Sequence, residues 1–336
     1  MNYYYIVEGL VRNNIGDVLQ GMAAAKFLPV TAKPVDREQL SLLDSKARSF
    51  LLASGWFMHD FSKFPPSDAV QPCYISLHVA NSALLQNRQV RNHFKKNAPI
   101  GCRDKKTLSL FLGWGIPAYY SGCLTITTSP RKPILQKEGP CLLVDNIDHP
   151  VPEPVLKKLE LLTKKEFTRV THDPADVLLP FEDYVKQGVN HMENLLQQYC
   201  DASLIVTTKI HCALPCLGMG APVILIHPNP QDPRLDTVRQ FIDILSYDEL
   251  LRSDTLNRPT VRFKKLQVQK KYLSAIVEAS VAHQKNIIQK PDRTSFFWIK
   301  MKSLISSFIY RTAIVLLLKS GLANRSLKRV FVNDNQ

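Results

Sequence analysis

The stretch from Leu204 to Ile226 constrains the fold more than any other part of the sequence. Uninterrupted apolar runs at its two ends are typical of parallel strands that are buried on both faces. Between them, helix-forming residues begin near His211, and Gly218 and Gly220 indicate where that helix ends. A strand, a helix and a second strand in this order predict a βαβ unit, the building block of α/β folds with parallel sheets.

The turn between the first of these strands and the helix is polar, with the sequence Thr207-Thr-Lys-Ile-His211. In an open α/β sheet, ligands bind beyond the carboxyl ends of the strands, and the N–H groups at a helix start favour anions. Lys209 and His211 add a positive charge and a titratable proton at that place. The turn therefore indicates an anion-binding site, although an ordinary crossover that carries a histidine would show the same pattern.

The N-terminal residues show the same order of patterns. Tyr3 to Val7 is aromatic and β-branched, which predicts a first strand, and an Ala-rich segment after Gln20 predicts a helix. In the turn between them, Asn14 or Gly16 can cap the helix, Gly16 lets a ligand approach the backbone, and Asp17 falls in the first helical turn. The turn lacks the G-x-G-x-x-G pattern, so it supports a dinucleotide site only weakly.

Strand and helix patterns alternate through most of the chain, which predicts an α/β fold with parallel strands. The further predicted strands are Ser49–Trp56, Pro72–His78, Ala98–Asp104, Pro117–Thr127, Cys141–Asp145 and Phe167–Val170. The further predicted helices are Ala80–Phe94, Lys105–Gly113, Pro154–Lys164, Pro180–Cys200 and Phe241–Leu251.

A polar segment rich in proline and glycine, residues 129–140, separates two such series and is interpreted as a linker. The length of 336 residues fits two domains of ordinary size. We expect an N-terminal Rossmann-like domain at residues 1–128 and a C-terminal Rossmann-like domain with the donor site at residues 141–290. A basic amphipathic helical tail is expected at residues 291–336. Two α/β halves joined in this way would enclose a ligand cleft between them.

The net charge of +14 is concentrated near the C-terminus, because residues 261–336 hold 15 Lys and Arg against three acidic residues. The body is nearly neutral, and we expect no nucleic-acid partner. Ser295 to Tyr310 is rich in aromatic residues and flanked by basic ones, and no window in the tail reaches about 20 apolar residues without a charge. This pattern favours a helix that lies on an anionic membrane surface; the alternative is a pair of C-terminal helices packed on the first domain.

Cysteine usage bears on the compartment of the protein. The seven cysteines are odd in number, most lie in apolar runs, and none forms a C-x-x-C pair, which favours buried thiols over a zinc site. The N-terminus lacks the basic start and long apolar core of a signal peptide. We therefore expect a cytoplasmic protein without a metal, peripheral to the inner face of the membrane if the tail binds lipid.

Four segments together resemble the polysaccharide pyruvyl transferase family, and their order and spacing make the resemblance specific. They are Asn14–Gln20, Ile100–Thr107, Gly115–Thr125 and Thr207–Pro222. The region from Gly55 to His78 also resembles the subgroup with a Ser-Gly-Cys-Leu-Thr signature. The resemblance implies two Rossmann-like domains facing across a cleft, as in GT-B glycosyltransferases. It also implies transfer of a pyruvyl group from phosphoenolpyruvate onto two hydroxyls of one sugar, which gives a cyclic ketal and releases phosphate.

The resemblance places the family's donor-binding arginine at Arg103 and its histidine at His211, which are the expected catalytic residues. The residue before this histidine is commonly leucine in the family, and here it is Ile210. Phosphoenolpyruvate carries a carboxylate and a phosphate, which a guanidinium binds in a bidentate fork. Ketal formation protonates C3 and removes hydroxyl protons, and histidine can transfer these protons near neutral pH.

We expect substrate contacts from both catalytic residues and from six more. These are Lys209, Ile210, Asn14, Gly16, Asp17 and Ser121. Other roles stay open: Arg103 can pair structurally with Asp104, and Asp17 can simply cap its helix. His59 and His78 can touch the acceptor or lie in the core or at the surface. Aromatic residues such as Trp56 can likewise stack on sugars or fill the core.

The predicted function is transfer of a pyruvyl group to a surface or capsular polysaccharide, or to its lipid-linked precursor. The expected partners are phosphoenolpyruvate as donor substrate, this acceptor and an anionic membrane surface; no cofactor is expected. Two alternatives remain. One is a GT-B glycosyltransferase that uses a nucleotide sugar, and the other is a non-catalytic, membrane-associated scaffold of polysaccharide assembly.

Overall fold

The computed structural model describes residues 1–9, 14–43, 46–130, 138–145, 149–173, 178–256 and 259–289. Residues 131–137 of the predicted linker and the whole predicted tail, 291–336, lie outside this part of the chain. The predicted linker and tail, and the boundaries between the two predicted domains, therefore stay predictions.

Six parallel strands form the first sheet, in the order β2-β1-β3-β4-β5-β6. The strands are β1 (Asn2–Val7), β2 (Lys33–Asp36), β3 (Ser49–Phe57), β4 (Val70–Val79), β5 (Ile100–Cys102) and β6 (Ala118–Tyr120). The helices among them are α1 (Gly16–Ala25), α2 (Arg88–Lys96) and α3 (Lys105–Gly113).

Five parallel strands form the second sheet, in the order β11-β10-β9-β7-β8. The strands are β7 (Cys141–Asp145), β8 (Phe167–Thr171), β9 (Leu204–Thr207), β10 (Val223–His227) and β11 (Leu245–Ser246). The helices of this part are α4 (Glu153–Thr163), α5 (Phe181–Asp201), α6 (Ile210–Met219), α7 (Asp236–Arg239), α8 (Tyr247–Arg252) and α9 (Phe263–Gln289).

The two sheets follow the same winding rule. In each, the first strand lies between the second and the third, so the chain reverses its winding direction beside β1 and again beside β7. At such a switch point, loops on the two sides separate and leave a crevice beyond the carboxyl ends of the strands. The expected α/β class with parallel strands is confirmed, and the winding places one candidate crevice on each sheet.

Three predicted elements differ from the observed ones because local chemistry interrupts them. The helix expected at 80–94 is a 3₁₀ turn followed by α2, since Asn87 caps α2 by accepting hydrogen bonds from two N–H groups of its first turn. The strand expected at 117–127 ends with β6, and a 3₁₀ turn, Leu124–Thr127, follows it. The helix expected at 241–251 is wrong in its first half, which contains β11 before Ser246 caps α8.

Two of the segments that carry the family resemblance pack against each other. Gly218, expected at the helix end, lies inside α6, and Gly220 ends the helix with a φ of 83°. A Cβ on Gly218 would collide with the carbonyl oxygen of Ile126 in the 3₁₀ turn Leu124–Thr127. The missing side chain therefore lets α6 lie directly on the turn that follows the first sheet.

One apolar core contains side chains from both sheets. Phe50 and Ile75 come from the first sheet, and Ile205 and Leu225 from the second. This shared core fixes the carboxyl ends of particular strands relative to one another, which is what positions the candidate site. In the described ranges, no helix has both the length and the apolar character needed to cross a membrane.

Candidate functional site

The start of α1 is fixed by hydrogen bonds from both sides. Asn14 Oδ1 accepts a hydrogen bond of 2.9 Å from the N–H of Gly16, the first residue of α1. The N–H of Ile15 donates to the carbonyl oxygen of His172, just after β8, at 2.8 Å. Asp17 lies in the first turn, as expected. The second sheet thus helps to position the first turn of α1.

Arg103 follows β5, and its N–H donates to the carbonyl oxygen of Leu77 in β4 at 2.8 Å. Its Nη1 donates to Oε1 of Gln20 in α1 at 3.2 Å. Among the described residues no carboxylate lies within ion-pair distance of Arg103, so the structural pair with Asp104 is not observed. A guanidinium has five N–H donors, and Gln20 accepts from only one nitrogen of Arg103. The other N–H groups can bind an anionic ligand.

The second sheet contributes the residues at the start of α6. The N–H of Lys209 donates to Oγ1 of Thr207 at 3.0 Å, which fixes the turn after β9. The Lys209 side chain is 8% exposed, and its Nζ lies 3.9 Å from Oδ1 of Asp173. His211 is in the first turn of α6, and its Nε2 is buried without a hydrogen-bond partner in the described ranges. Buried polar atoms are normally satisfied, so this nitrogen is a point where a ligand can bind.

The starts of α1 and α6 meet. A Cβ placed on Gly16 would be 3.1 Å from both Cβ and Nδ1 of His211. Gln20, one turn further along α1, accepts a hydrogen bond from the Arg103 guanidinium and donates one to Asp17, which brings the guanidinium to the same helix start. Seven of the eight predicted site residues therefore come together from two sheets: Asn14, Gly16, Asp17, Arg103, Lys209, Ile210 and His211.

Electrostatics set the protonation states at this place. Burial, together with the charge of Arg103, lowers the pKa of His211 well below its ordinary value, so the imidazole is neutral at neutral pH. Burial raises the pKa of Asp17 to about 6, against the lowering effects of Arg103 and of a hydrogen bond from Gln20. The site thus holds a neutral histidine, a weakened acid and a cationic guanidinium, an arrangement suited to binding an anion and moving a proton.

Ser121, the eighth predicted residue, occupies a different environment. Its hydroxyl is fully buried, donates to the carbonyl oxygen of Cys102 at 3.0 Å and accepts a hydrogen bond of 3.0 Å from the N–H of Ser76. These bonds tie the loop after β6 to β4 and β5. A substrate contact by Ser121 stays a prediction.

The structure also contains a buried ion-pair cluster at the carboxyl ends of β1, β2 and β3 that the sequence did not indicate. Arg37 is 2% exposed, pairs with Glu8 and Glu38, and lies 4.6 Å from the ring centre of Trp56. The ring of His59 lies 3.9 Å from that of Trp56, centre to centre. Trp56 is therefore packed against protein side chains. The residues of this cluster come from separate segments and form no periodic pattern in the sequence. The cluster therefore becomes visible only in the folded structure.

The described residues also bear on the expectations for metal ligands and for cysteines. In the ranges that the structure describes, no group of three or more His, Cys, Asp or Glu could hold a metal ion. All seven cysteines are free thiols and six are buried, in line with the core role expected of them. That the protein needs no metal or cofactor stays a prediction.

Comparisons with known proteins agree with the motifs. The family model described as "Polysaccharide pyruvyl transferase" matches residues 14–230. No curated protein matches the chain significantly. Among solved structures, the chain is similar to that of the wall teichoic acid polymerase TagF, with 9% sequence identity, a TM-score of 0.41, and coverage of 84% of this chain and 89% of the other.

Proposed function

Because the chain belongs to the polysaccharide pyruvyl transferase family, we propose that it transfers a pyruvyl group from phosphoenolpyruvate onto two hydroxyls of one sugar. The acceptor is a surface or capsular polysaccharide or its lipid-linked precursor, and the products are a cyclic ketal and phosphate. One observation carries the proposal: Arg103, from the first sheet, bonds to Gln20 of α1, and His211, from the second, contacts Gly16 one turn earlier in the same helix, with Lys209 two residues before His211.

The charges of this group match those of the donor. Phosphoenolpyruvate carries up to three negative charges on a carboxylate and a phosphate. Arg103 offers a planar fork of N–H donors, Lys209 adds a second cation, and the N–H groups of the first turn of α6 favour an anion. His211 Nε2, which has no partner in the described ranges, is the atom assigned to proton transfer.

The proton balance of the reaction calls for groups that both give and take protons. The enol carbon C3 gains one proton, the two sugar hydroxyls lose one each, and the departing phosphate gains one. A neutral imidazole beside a bound anion can take up a proton and then deliver it to C3. His211 is proposed as that group, and Arg103 as the residue that holds the donor and stabilises the charge on the leaving phosphate.

Two finer features belong to the same proposal. Residues 1–128 and 141–290 act as two domains with the donor site between them, so that closure keeps water away from the activated donor. The basic residues of the segment 291–336 bring the enzyme to an anionic membrane surface, where a lipid-linked acceptor would be found.

The proposal is tested with purified full-length protein, phosphoenolpyruvate and a panel of lipid-linked oligosaccharides, with UDP- and GDP-hexoses as donors in parallel. We expect acceptor-dependent phosphate release and an acceptor mass increased by one pyruvate ketal. His211→Ala should lower this turnover roughly 100-fold or more. Glycosyl transfer from a nucleotide sugar, or no turnover with either donor, would overturn the proposal in favour of a glycosyltransferase or a scaffold, respectively.

A further inference from the structure

A second histidine lies at the same edge of the first sheet as Arg103. His78 is near the end of β4, and its Nδ1 is 2.6 Å from Oδ2 of Asp104. The Asp104 side chain is 9% exposed and that of His78 17%. Asp104 also caps α3, since its Oδ1 accepts a hydrogen bond of 2.9 Å from the N–H of Thr107. The carboxylate is thus fixed by the helix, and it holds an imidazole that remains partly accessible.

A bulge in β4 precedes this histidine. Ala53 of β3 pairs with Tyr74, whereas Gly55 pairs with Leu77, so β4 has one residue more than β3 at this point. Ser76 lies in the bulge with a φ of 56°, in the left-handed region that serine rarely adopts. An extra residue shifts the alternation of side chains along a strand by one position, and bulges of this kind re-aim side chains next to functional sites.

The bulge decides which face His78 occupies. Tyr74 before it and Leu77 and Val79 after it all pack in the same apolar core. His78, between Leu77 and Val79, therefore lies on the opposite face, which carries Ile75 and packs against α1. If the side chains of β4 alternated regularly from Tyr74 onward, with no bulge, His78 would point into the core that now holds Leu77. A strained backbone thus keeps the imidazole on the face where α1 and Arg103 lie.

His78 is close to the other charged groups of the site. The N–H of Arg103 donates to the carbonyl oxygen of Leu77, the residue before His78, at 2.8 Å. The Arg103 guanidinium in turn bonds to Gln20, one turn along α1 from Gly16, which contacts His211. Burial and Arg103 lower the pKa of His78, against the hydrogen bond that it donates to Asp104, so its imidazole is neutral at neutral pH. Hydrogen bonds from His78 and Thr107 outweigh the burial of Asp104 and lower its pKa, so this group is a carboxylate.

The pairing selects one tautomer of the imidazole. A carboxylate only accepts hydrogen bonds, so the proton of neutral His78 is on Nδ1, which donates to Asp104. Nε2 then carries a lone pair, and the described residues provide no hydrogen-bond partner for it. A histidine held in one tautomer by a carboxylate, with its second nitrogen available, is the arrangement of a general base.

We propose that His78 is a second catalytic residue, whose Nε2 accepts the proton of the acceptor hydroxyl, and that Asp104 is the positioning residue that fixes its tautomer. This inference rests on the proposed function, because it assigns one proton transfer of that reaction. It divides the work between two histidines: His211 serves the donor carbon, and His78 serves the acceptor oxygen.

The steps balance with the two histidines alone. The first hydroxyl oxygen bonds to C2 of the donor and its proton passes to His78, while the C2–C3 π pair takes a proton from His211. The bond between C2 and the phosphate oxygen then breaks, and phosphate leaves with the bond pair and the proton of His78. The second hydroxyl oxygen bonds to C2, and its proton returns to His211. Both residues end in the states in which they began, and no oxidant or reductant is needed.

The test compares variants of the full-length protein with phosphoenolpyruvate and the acceptor that wild type pyruvylates best. His78→Gln should lower kcat roughly 100-fold or more, because a general base is lost, with phosphoenolpyruvate affinity changed less than about threefold. Asp104→Asn can still accept from the N–H of Thr107 but presents an NH₂ group to Nδ1, which favours the wrong tautomer. It should lower kcat strongly without unfolding α3.

His59 provides the matched control. It lies just after β3, the strand next to β4, and its Nε2 is 3.5 Å from Oε2 of Glu8, so it is also a histidine beside a buried carboxylate. His59→Gln should keep kcat within about threefold of wild type. A merely structural role of His78 would instead lower the thermal unfolding temperature and the donor affinity together, with kcat per folded molecule unchanged.

The outcomes separate this inference from the proposed function. If wild type forms the ketal and His78→Gln forms it at a similar rate, or if His59→Gln is the inactive variant, the inference is wrong and the proposed function stands. If wild type forms no ketal with any acceptor, the proposed function and this inference are both wrong. If kcat falls for His78→Gln and Asp104→Asn while donor affinity persists, the inference is supported.

Discussion

Gly16 and His211 lie in direct contact across the two sheets, so that a Cβ on Gly16 would be 3.1 Å from both Cβ and Nδ1 of the histidine. The same Cβ would be 2.9 Å from Oδ1 of Asn14, which accepts the N–H of Gly16. Because glycine carries a hydrogen where alanine carries a methyl group, Gly16 can bond to Asn14 while His211 packs against it. Glycine at residue 16 is therefore needed for the packing of His211 as well as for the start of α1.

We predict that Gly16→Ala lowers turnover roughly 10- to 100-fold, because a displacement of the imidazole by a fraction of an ångström disturbs proton transfer. The variant should stay folded, since residue 16 has a helical backbone that alanine adopts readily. Steady-state kinetics and circular dichroism measure the two effects.

Gly113→Ala, at the end of α3, is the control, because a Cβ there meets nothing within 4 Å. It should leave turnover unchanged and leave stability equal or slightly higher. Equal activity of Gly16→Ala and wild type would show that the contact with His211 does not matter for catalysis.

Arg103 should act mainly in donor binding. We predict that Arg103→Ala weakens phosphoenolpyruvate binding roughly 10- to 100-fold, the range for lost hydrogen bonds to a charged group. Arg103→Lys should recover only part of this, because an ammonium keeps the charge and loses the bidentate fork. Titration calorimetry gives the affinities. Arg88→Ala, an exposed residue at the start of α2, should bind the donor as wild type does. If Arg103→Lys bound phosphoenolpyruvate as tightly as wild type, bidentate binding by the guanidinium would be contradicted.

Segments with local start and stop signals could be predicted from the sequence at the level of single residues. The helix Lys105–Gly113 is observed as predicted, because Asp104 caps it and a glycine ends it. The strand Cys141–Asp145 is also observed as predicted, since its five residues are buried on both faces as the apolar run implied. In both cases the information lies within the element and its immediate neighbours.

Features that depend on contacts between distant segments could not be predicted. The strand β2, Lys33–Asp36, is short and polar at both ends, and only pairing with β1 makes it a strand. The bulge at Ser76 requires the register with β3, and no local pattern marks it. The family resemblance named Gly16 and His211 separately, whereas their contact follows from the packing of two sheets. The sequence thus indicated which residues matter and not how they meet.

Asp17 should destabilise the folded protein when it is ionised. Its folded-state pKa of about 6 lies above the ordinary value of 3.8, so the folded protein holds this proton more tightly than the unfolded chain does. Its contribution to stability is therefore lost as pH rises from 3.8 through about 6. We predict that Asp17→Asn raises the free energy of unfolding at pH 8 by on the order of 1–2 kcal/mol, discounted for partial exposure, and leaves it unchanged near pH 3.5.

Urea unfolding of both proteins across this pH range measures the difference. Asp232→Asn is a control of opposite sign, because hydrogen bonds from Arg234 lower the pKa of Asp232 to about 2. That variant should lose stability at pH 8 relative to wild type. A pH-independent difference between wild type and Asp17→Asn would mean that Asp17 does not titrate near 6.

The basic segment 291–336 should account for any binding to anionic membranes. We predict that full-length protein binds vesicles containing phosphatidylglycerol at low salt and dissociates as salt is raised, since added ions screen the attraction. Deletion of residues 291–336 should abolish binding and preserve turnover of soluble acceptors. Co-sedimentation with vesicles measures membrane binding of both proteins, and a thermal unfolding assay shows whether the shortened protein is folded. Binding by the shortened protein, or its unfolding, would contradict the membrane role.

Donor binding should make the protein take up a proton at His211. In the free protein, burial and the charge of Arg103 keep this imidazole neutral, and Lys209 contributes in the same direction. A donor anion beside these cations offsets their charge and raises the pKa of His211. A proton is therefore taken up at any pH between the free and the bound pKa of this group. This uptake prepares the acid that protonates C3.

Calorimetric titrations with phosphoenolpyruvate over the pH range 6 to 8, in buffers of different ionisation enthalpy, count the protons taken up per donor. Wild type should take up more protons than His211→Ala, whereas protons that the donor itself gains are common to both proteins and cancel in the comparison. Asp17 is a second group that could take up the proton, because its pKa is raised to about 6 and Arg103 acts on it. The Asp17→Asn variant tests this alternative. If His211→Ala takes up as many protons as wild type while Asp17→Asn takes up fewer, the proton belongs to Asp17, and His211 is not the group that donor binding charges.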